Sequence, residues 1–344
     1  MAYTTIKKPS DYFNTKLYTG DGSSSRSITG VGFQPDWVWF KQRSGTQSHT
    51  AIDAVRTGNS KLRINANSAE FTGQSYNFNS DGFGWTTQDD ESNQNGATYA
   101  SWNWKANGAG SANTDGSISS TVSVNTTSGF SIVSYTGTGS TATVGHGLGS
   151  APKMVIVKNR SITEDWFVLH TSASATAGSF LKLNATDAVS SGNAIVFNNT
   201  NPTSTVFTVG TVNGTNGSGN NMIAYCFAEK TGYSKFGSYT GNGNADGTFV
   251  YTGFKPSWVI IKRTDSSNNW LMYDNKRTPY NVVDKLLIAN SSGAEATGSN
   301  RLDLVSNGFK IRINDPGENA SGGSYIYMAF AEEPLVGDNP CTAR

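Results

Sequence analysis

The sequence predicts an all-β fold of three tandem β-sandwich-like repeats, on three observations. First, a stretch of the form Gly-x-x-Pro followed by an apolar run closed by Lys occurs three times: Gly32-Phe-Gln-Pro-Asp-Trp-Val-Trp-Phe-Lys41, Gly149-Ser-Ala-Pro-Lys-Met-Val-Ile-Val-Lys158 and Gly253-Phe-Lys-Pro-Ser-Trp-Val-Ile-Ile-Lys262. Such a run reads as a buried strand, with Pro at the entry where a missing N–H does least harm. Second, a tight-turn signal precedes each copy: Tyr18-Thr-Gly-Asp-Gly22, Tyr135-Thr-Gly-Thr-Gly139 and Tyr239-Thr-Gly-Asn-Gly243. Glycine reaches positive φ there without steric cost. Third, each unit closes on an aromatic-rich apolar strand, at 99–105, 223–229 and 326–332. A period of about a hundred residues is too long for a solenoid or propeller blade and fits one sandwich.

Element by element, residues 1–15 form a leader, expected from position alone to anchor the protein. Pro9-Ser10-Asp11-Tyr12 reads as one helical turn capped by Ser10, or as an extended lead-in. Repeat one spans 16–108. Alternation puts Trp102 and Trp104 on one face of its closing strand, in the core, and Tyr99, Ser101 and Asn103 on the other. Residues 109–128 form a Gly/Ser-rich linker, with 118–124 alternating enough for an extra edge strand. Repeat two spans 129–232 and repeat three 233–335, joined so closely that the two are expected to pack together. Residues 336–344 are a polar tail. Asp81-Gly82 and Asn307-Gly308 predict hairpin turns in repeats one and three. Repeat two has Ser204-Thr-Val-Phe207 at that place and has drifted. In the middle of the units, Leu62-Arg-Ile-Asn-Ala-Asn-Ser-Ala-Glu70 matches Leu287-Ile-Ala-Asn-Ser-Ser-Gly-Ala-Glu295, with Leu181-Lys-Leu-Asn-Ala-Thr-Asp187 in repeat two.

Composition narrows the function classes. With 26 basic and 25 acidic residues the net charge is +1, which argues against a basic nucleic-acid-binding surface. Only 15% of residues are charged and 38 are glycine, fitting a β protein with polar, uncharged surfaces. No apolar stretch approaches the roughly 20 residues of a membrane span. Residues 1–10 lack the apolar core of a signal peptide, so synthesis in a cytoplasm is expected. Two cysteines give no disulfide framework: Cys226 reads as a small core residue and Cys341 as an exposed one in the tail.

No constellation with catalytic or metal-ligand spacing emerges. His49, His146 and His170 have no neighbours at zinc spacing. Asp89-Asp90-Glu91 lacks the alternating pattern of a calcium loop and reads as a solvated loop. The Gly-rich stretches 144–149 and 209–221 lead into no helix, so phosphate-binding readings fail, and 209–221 reads as a flexible surface loop. No carboxylate pair recurs across the units, and no Gly-x-Ser-x-Gly elbow is present. Catalytic, cofactor-binding and metal-ligating residues are therefore all expected to be absent. The shared Lys41, Lys158 and Lys262, with Arg43, Arg160 and Arg263 behind them, read as charged strand exits, the alternative being a binding edge for an acidic glycan.

The motifs Tyr-Thr-Gly-x-Gly, Gly-Phe-x-Pro-x-Trp-Val and Trp102-Asn-Trp-Lys-Ala-Asn-Gly108, with Thr126-Thr-Ser-Gly-Phe-Ser-Ile-Val-Ser-Tyr-Thr-Gly137 and Tyr233-Ser-Lys-Phe-Gly-Ser-Tyr-Thr-Gly-Asn-Gly243, together resemble a family of virion proteins of tailed phages, especially those of marine bacteria. The resemblance covers nearly the whole chain. It implies a non-enzymatic structural or tail-fibre-like protein, without transferable site residues or cofactors, and a homotrimer such as fibres form. The expectation is a tail-fibre or receptor-binding component. It would be made in the host cytoplasm, docked to other virion proteins through its leader, and carry loops such as 86–96 or 210–221 to a host-surface glycan or protein. It would not bind nucleic acid or insert into a membrane. The alternatives are a capsid decoration or head-fibre protein and, from another class, an envelope-glycan depolymerase.

Overall fold

The computed structural model describes residues 4–56, 59–87 and 89–334. All three units follow one plan in antiparallel sheets. The main sheet runs opening strand, closing strand, Gly-Pro strand, fourth strand. These are Phe13–Thr19, Thr98–Trp104, Trp37–Gln42 and Thr50–Asp53 in unit one. In unit two they are Phe130–Thr136, Asn221–Phe227, Met154–Asn159 and Trp166–His170. In unit three they are Ser234–Thr240, Ser324–Pro334, Phe254–Arg263 and Trp270–Asp274. A smaller sheet accompanies each: Arg26–Thr29, Gly82–Trp85 and Tyr76–Asn79; Ala142–Gly145 and Val206–Val209; Phe249–Tyr251, Gly308–Ile311 and Leu302–Val305. The Asp81 and Asn307 turns join hairpin strands as predicted. The drift in unit two costs it a third small-sheet strand, and the helical turn Ala194–Phe197 packs on its core instead.

Successive side chains of a strand face opposite ways, and here both faces are buried. Val38 and Phe40 join Ile28, Phe83 and Trp85 in a core private to unit one. Units two and three have private cores of their own. Trp37, Trp39, Trp102 and Trp104 face the other way, into one cluster shared with Met154, Ile156, Tyr225 and Phe227 of unit two and Trp258, Ile260, Met272 and Phe330 of unit three. Register makes Trp104, Phe227 and Phe330 equivalent, opposite Trp37, Met154 and Trp258. These three rings meet in a triangle, with centroids 6.4, 5.7 and 6.1 Å apart. The units therefore surround a common core with approximate threefold symmetry inside one chain.

The seams between units repeat in the same sense and close a ring. Glu70 N donates to Arg160 O, Val189 N to Thr264 O and Glu295 N to Arg43 O, at 2.9, 2.9 and 2.8 Å. Each bond links one unit to the next, and the last links unit three back to unit one.

The ends of the expected domains differ from the sequence reading. The leader does not project over its described part. Thr4, Ile6 and Pro9 are buried, Ile6 and Phe13 belong to the shared core, and Phe13 stacks on Phe330 at 4.9 Å. The turn at Pro9–Asp11 is 3-10, and Ser10 is not its cap, because Lys8 holds that position without a side-chain bond. Nor is 109–128 a free tether. Ser111–Asn113 and Ser120–Asn125 extend the main sheet of unit two, because Val122 and Ile118 are apolar enough to join its private core. The tail 336–344, with Cys341, lies outside the described residues. No helix among the described residues is long and apolar enough to cross a membrane.

Candidate functional site

The recurring lysines do sit at the strand ends, but neither as exposed charges nor as a binding edge: Lys41, Lys158 and Lys262 are wholly buried. Each ammonium is held by backbone carbonyls. Lys158 Nζ donates to Glu164 O (2.6 Å) and, across the seam, to Asn67 O (3.1 Å). Lys262 Nζ donates to Asn268 O (2.8 Å) and, across the next seam, to Thr186 O (3.0 Å). Lys41 Nζ donates to Gln42 O and Gly45 O within unit one. Burial lowers all three to pKa about 8. The folded state therefore binds these protons more weakly than the unfolded chain, so this contribution to stability rises as pH increases from about 8 towards 10.5. Denaturant midpoints measured from pH 8 to 9.5 are expected to rise, and the rise is expected to shrink in a Lys158→Met, Lys262→Met variant.

The arginines behind them act across the seams. Arg160 pairs with Glu70 (2.7 Å) and Arg43 with Glu295 (2.7 Å). Each glutamate also holds a buried arginine, Arg56 or Arg277, whose guanidinium is braced by Asp53 or Asp274. The neighbouring unit completes each network. Tyr225 Oη donates to Asp53 Oδ2 (2.7 Å) and Trp102 Nε1 to Asp274 Oδ2 (3.1 Å). The third seam has changed as a set. Equivalent positions there carry His170, Ala173, Val189 and Met328. His170 Nε2 lies 3.2 Å from Tyr327 O, and burial lowers its pKa to about 4. The position of Arg43 and Arg160 is taken there by Thr264, and Arg263, one residue earlier, pairs with Asp265 in its own unit.

The acidic run is not a solvated loop. Asp89 caps the helical turn Asp90–Asn93, accepting from Ser92 N. Glu91 is buried, accepts from Thr50 Oγ1 (3.1 Å), and pairs with Lys61 (2.7 Å) and Arg63 (2.6 Å). Lys61 also bonds Asp89. These residues border a cleft of about 370 Å³ whose wall includes Phe71, Gln47 and Gln74, with the guanidinium of Arg63 4.1 Å over the Phe71 ring. A second cleft of about 490 Å³ adjoins it across Thr72 and Gln74 and reaches the Arg56–Glu70–Arg160 network. Asp89, Asp90 and Glu91 of the expected loop 86–96 thus line a concave surface. Its carboxylates Asp89 and Glu91 are held in ion pairs. The other expected loop, 210–221, is folded onto the core of its unit rather than open: Asn213–Asn216 forms a helical turn with Thr215 and Asn216 wholly buried, and a Cβ on Gly214 would lie 2.1 Å from the Phe167 ring.

Residues 8–334 match a family described as a domain of unknown function, DUF7483. The chain belongs to the DUF7483 family. No curated protein matches it. The match runs across all three units, so the DUF7483 domain is the whole ring.

One set of residues that holds the DUF7483 ring escaped the sequence reading. Asn93, Asn216 and Asn319 each clamp the Gly-x-Gly turn of their own unit, accepting at Oδ1 from the N–H of Asp21 (3.1 Å), Thr138 (2.8 Å) and Asn242 (2.9 Å). The first glycine of each turn is required by crowding: a Cβ on Gly20, Gly137 or Gly241 would fall 2.0–2.3 Å from a carbonyl oxygen of the segment after the asparagine. The second has φ of 70°, 74° and 68°. The available signal was Asn-x-Asn/Ser-Gly before each closing strand, at 93–96, 216–219 and 319–322. Asn319→Ala also removes donation to Asn242 Oδ1, Asn244 O and Ile313 O. It is expected to cost about 1–3 kcal/mol, read as a lower urea midpoint at constant slope.

The histidines are structural as well. His49 Nδ1 accepts from Trp39 Nε1 (2.9 Å), and His146 Nδ1 accepts from Leu148 N (3.1 Å). Cys226 is buried in the private core of unit two, and burial raises its thiol pKa. Among the described residues no cluster of His, Cys, Asp and Glu has the geometry to hold a metal ion.

Proposed function

We propose that this chain is a non-enzymatic structural component of a tailed-phage particle, most directly a tail-fibre or receptor-binding component that meets a glycan or protein of the host surface. The observation that carries the reading is the composite of motifs resembling tailed-phage virion proteins over nearly the whole chain. A body in which the recurring Lys, Arg and Asn side chains are engaged in holding one unit, or one unit to the next, supports it. Docking to other virion proteins would use the end of the ring where the leader packs, since its described part, from Thr4 on, lies against the ring. Trimerisation, which the resemblance implies, would use outer surfaces, because the threefold-like seams are filled within one chain.

The test is localisation by electron microscopy of the phage particle with a label on this chain. Label at the tail is the expected result. Label spread over the capsid would make the chain a decoration protein, and particles without label would overturn both readings.

A further inference from the structure

Five large apolar side chains stand exposed among the described residues, and three of them, Phe249, Tyr251 and Tyr280, belong to unit three. Phe249 and Tyr251 are 46% and 54% exposed and flank Val250, which is buried. Alternation along the edge strand therefore puts both rings on the outer face of the small sheet, about 7 Å apart. Tyr280 precedes Asn281, which exchanges hydrogen bonds with Leu304 on the opposite edge strand of that sheet.

The two sibling units show that the fold does not call for these rings. In register, Val250 faces Phe309 as Ile28 faces Phe83 and Val144 faces Phe207. Phe249 thus stands where the siblings have Ser27 and Thr143, and Tyr251 where they have Thr29 and Gly145. Opposite Tyr251 is Gly308, where a Cβ would meet Val250 O at 2.0 Å, as one on Gly82 of unit one would meet Ile28 O at 1.9 Å, and Phe249 Cε2 at 3.2 Å.

The border of this platform says what would cover it. Lys310, opposite Phe249, pairs with Asp246 (2.6 Å), and Arg312 pairs with Asp303 (2.8 Å). A cleft of about 350 Å³ opens beside Asp246 and Arg312, with Asn300 on its wall. Two positive and two negative groups cancel, so the surround favours a neutral occupant. The apolar patch is small and ringed by polar groups, unlike a protein interface of about 800 Å² a side. A pyranose ring has the complementary build: a C–H face for an aromatic ring and a rim of hydroxyls for carboxylate and guanidinium groups, which keep spare acceptor and donor positions when paired.

We propose that the outer face of the small sheet of unit three is a carbohydrate platform, with Phe249 and Tyr251 stacking on successive rings of a neutral oligosaccharide. It rests on the host-contact reading for its biological role, though not for its chemistry. The test is binding of the full chain to an array of neutral oligosaccharides, followed by titration with the strongest hit. The comparison is a Phe249→Ser, Tyr251→Thr variant, which carries the residues that unit one has there. The expected result is at least a tenfold loss of affinity at unchanged melting temperature. Tyr251→Thr alone, which leaves the Phe249–Gly308 contact in place, repeats the measurement if the double variant melts early. A wild-type chain that binds no neutral glycan at millimolar concentration, or a variant that binds as well as wild type, would overturn the proposal. Binding by a chain located on the capsid would keep the platform and remove the tail reading; a tail location without binding would do the reverse.

Discussion

Asp53→Ala is expected to destabilise the ring by about 3–5 kcal/mol, the range for breaking a buried ion pair by removing one partner. Asp53 braces Arg56, accepts from Tyr225 across the seam, and accepts from the backbone N–H of Arg56 (3.0 Å). Its loss leaves a buried guanidinium with less compensating charge and a buried phenol without its acceptor. The third seam supplies the companion experiment. There, His170, Ala173, Val189 and Met328 occupy the positions of Asp53, Arg56, Glu70 and Tyr225. Transplanting that set, as Asp53→His, Arg56→Ala, Glu70→Val and Tyr225→Met, together with Arg160→Thr because Thr264 stands at that position in the third seam, is expected to recover most of the loss, because well-packed replacement of a whole buried network is often neutral. Guanidinium unfolding of the wild type and both variants decides it. A quintuple variant as unstable as the single one would mean that the seams are not interchangeable.

Trp104→Ala is expected to cost about 3–5 kcal/mol, as large-to-small changes of buried aromatics do, and to weaken all three units together. Trp104 is wholly buried and meets Phe227 of unit two as well as Trp258 and Phe330 of unit three. The expected calorimetric trace is one transition at lower temperature, with calorimetric and van't Hoff enthalpies in agreement. A split trace in which only unit one melts early would show that the shared core does not couple the units.

The repeats, the all-β class and the burial of Trp102 and Trp104 were legible because periodicity and turn chemistry are local signals. The closure into a ring was not. A strand buried on both faces gives the same continuous apolar run whether its second face meets a partner sheet or two sibling units. The buried lysines were misread for a related reason. A lysine at the end of an apolar run is ordinarily at the surface, and only the tertiary fold shows carbonyls such as Asn67 O and Thr186 O converging on the ammonium. In the linker, the alternation of 118–124 did signal the strand Ser120–Asn125, but the glycines hid Ser111–Asn113, which pairs with it and takes the edge. The paired charges were visible as a matching Glu70 and Glu295 in the aligned repeats. Their partners lie about 90 and 250 residues away, beyond any spacing rule.

The shared core has a consequence for how the protein is made. The inner faces of units one and two, with Trp39, Trp104 and Phe227, are covered in part by Trp258 and Phe330, and these emerge last from the ribosome. At roughly 5–20 residues per second, a unit of about a hundred residues takes roughly 5–20 seconds to synthesise, and for that interval the nascent chain presents an open aromatic surface. A ribosome-bound intermediate ending after unit two is therefore a natural client for chaperones, and premature termination there would yield an aggregating fragment rather than a smaller working protein.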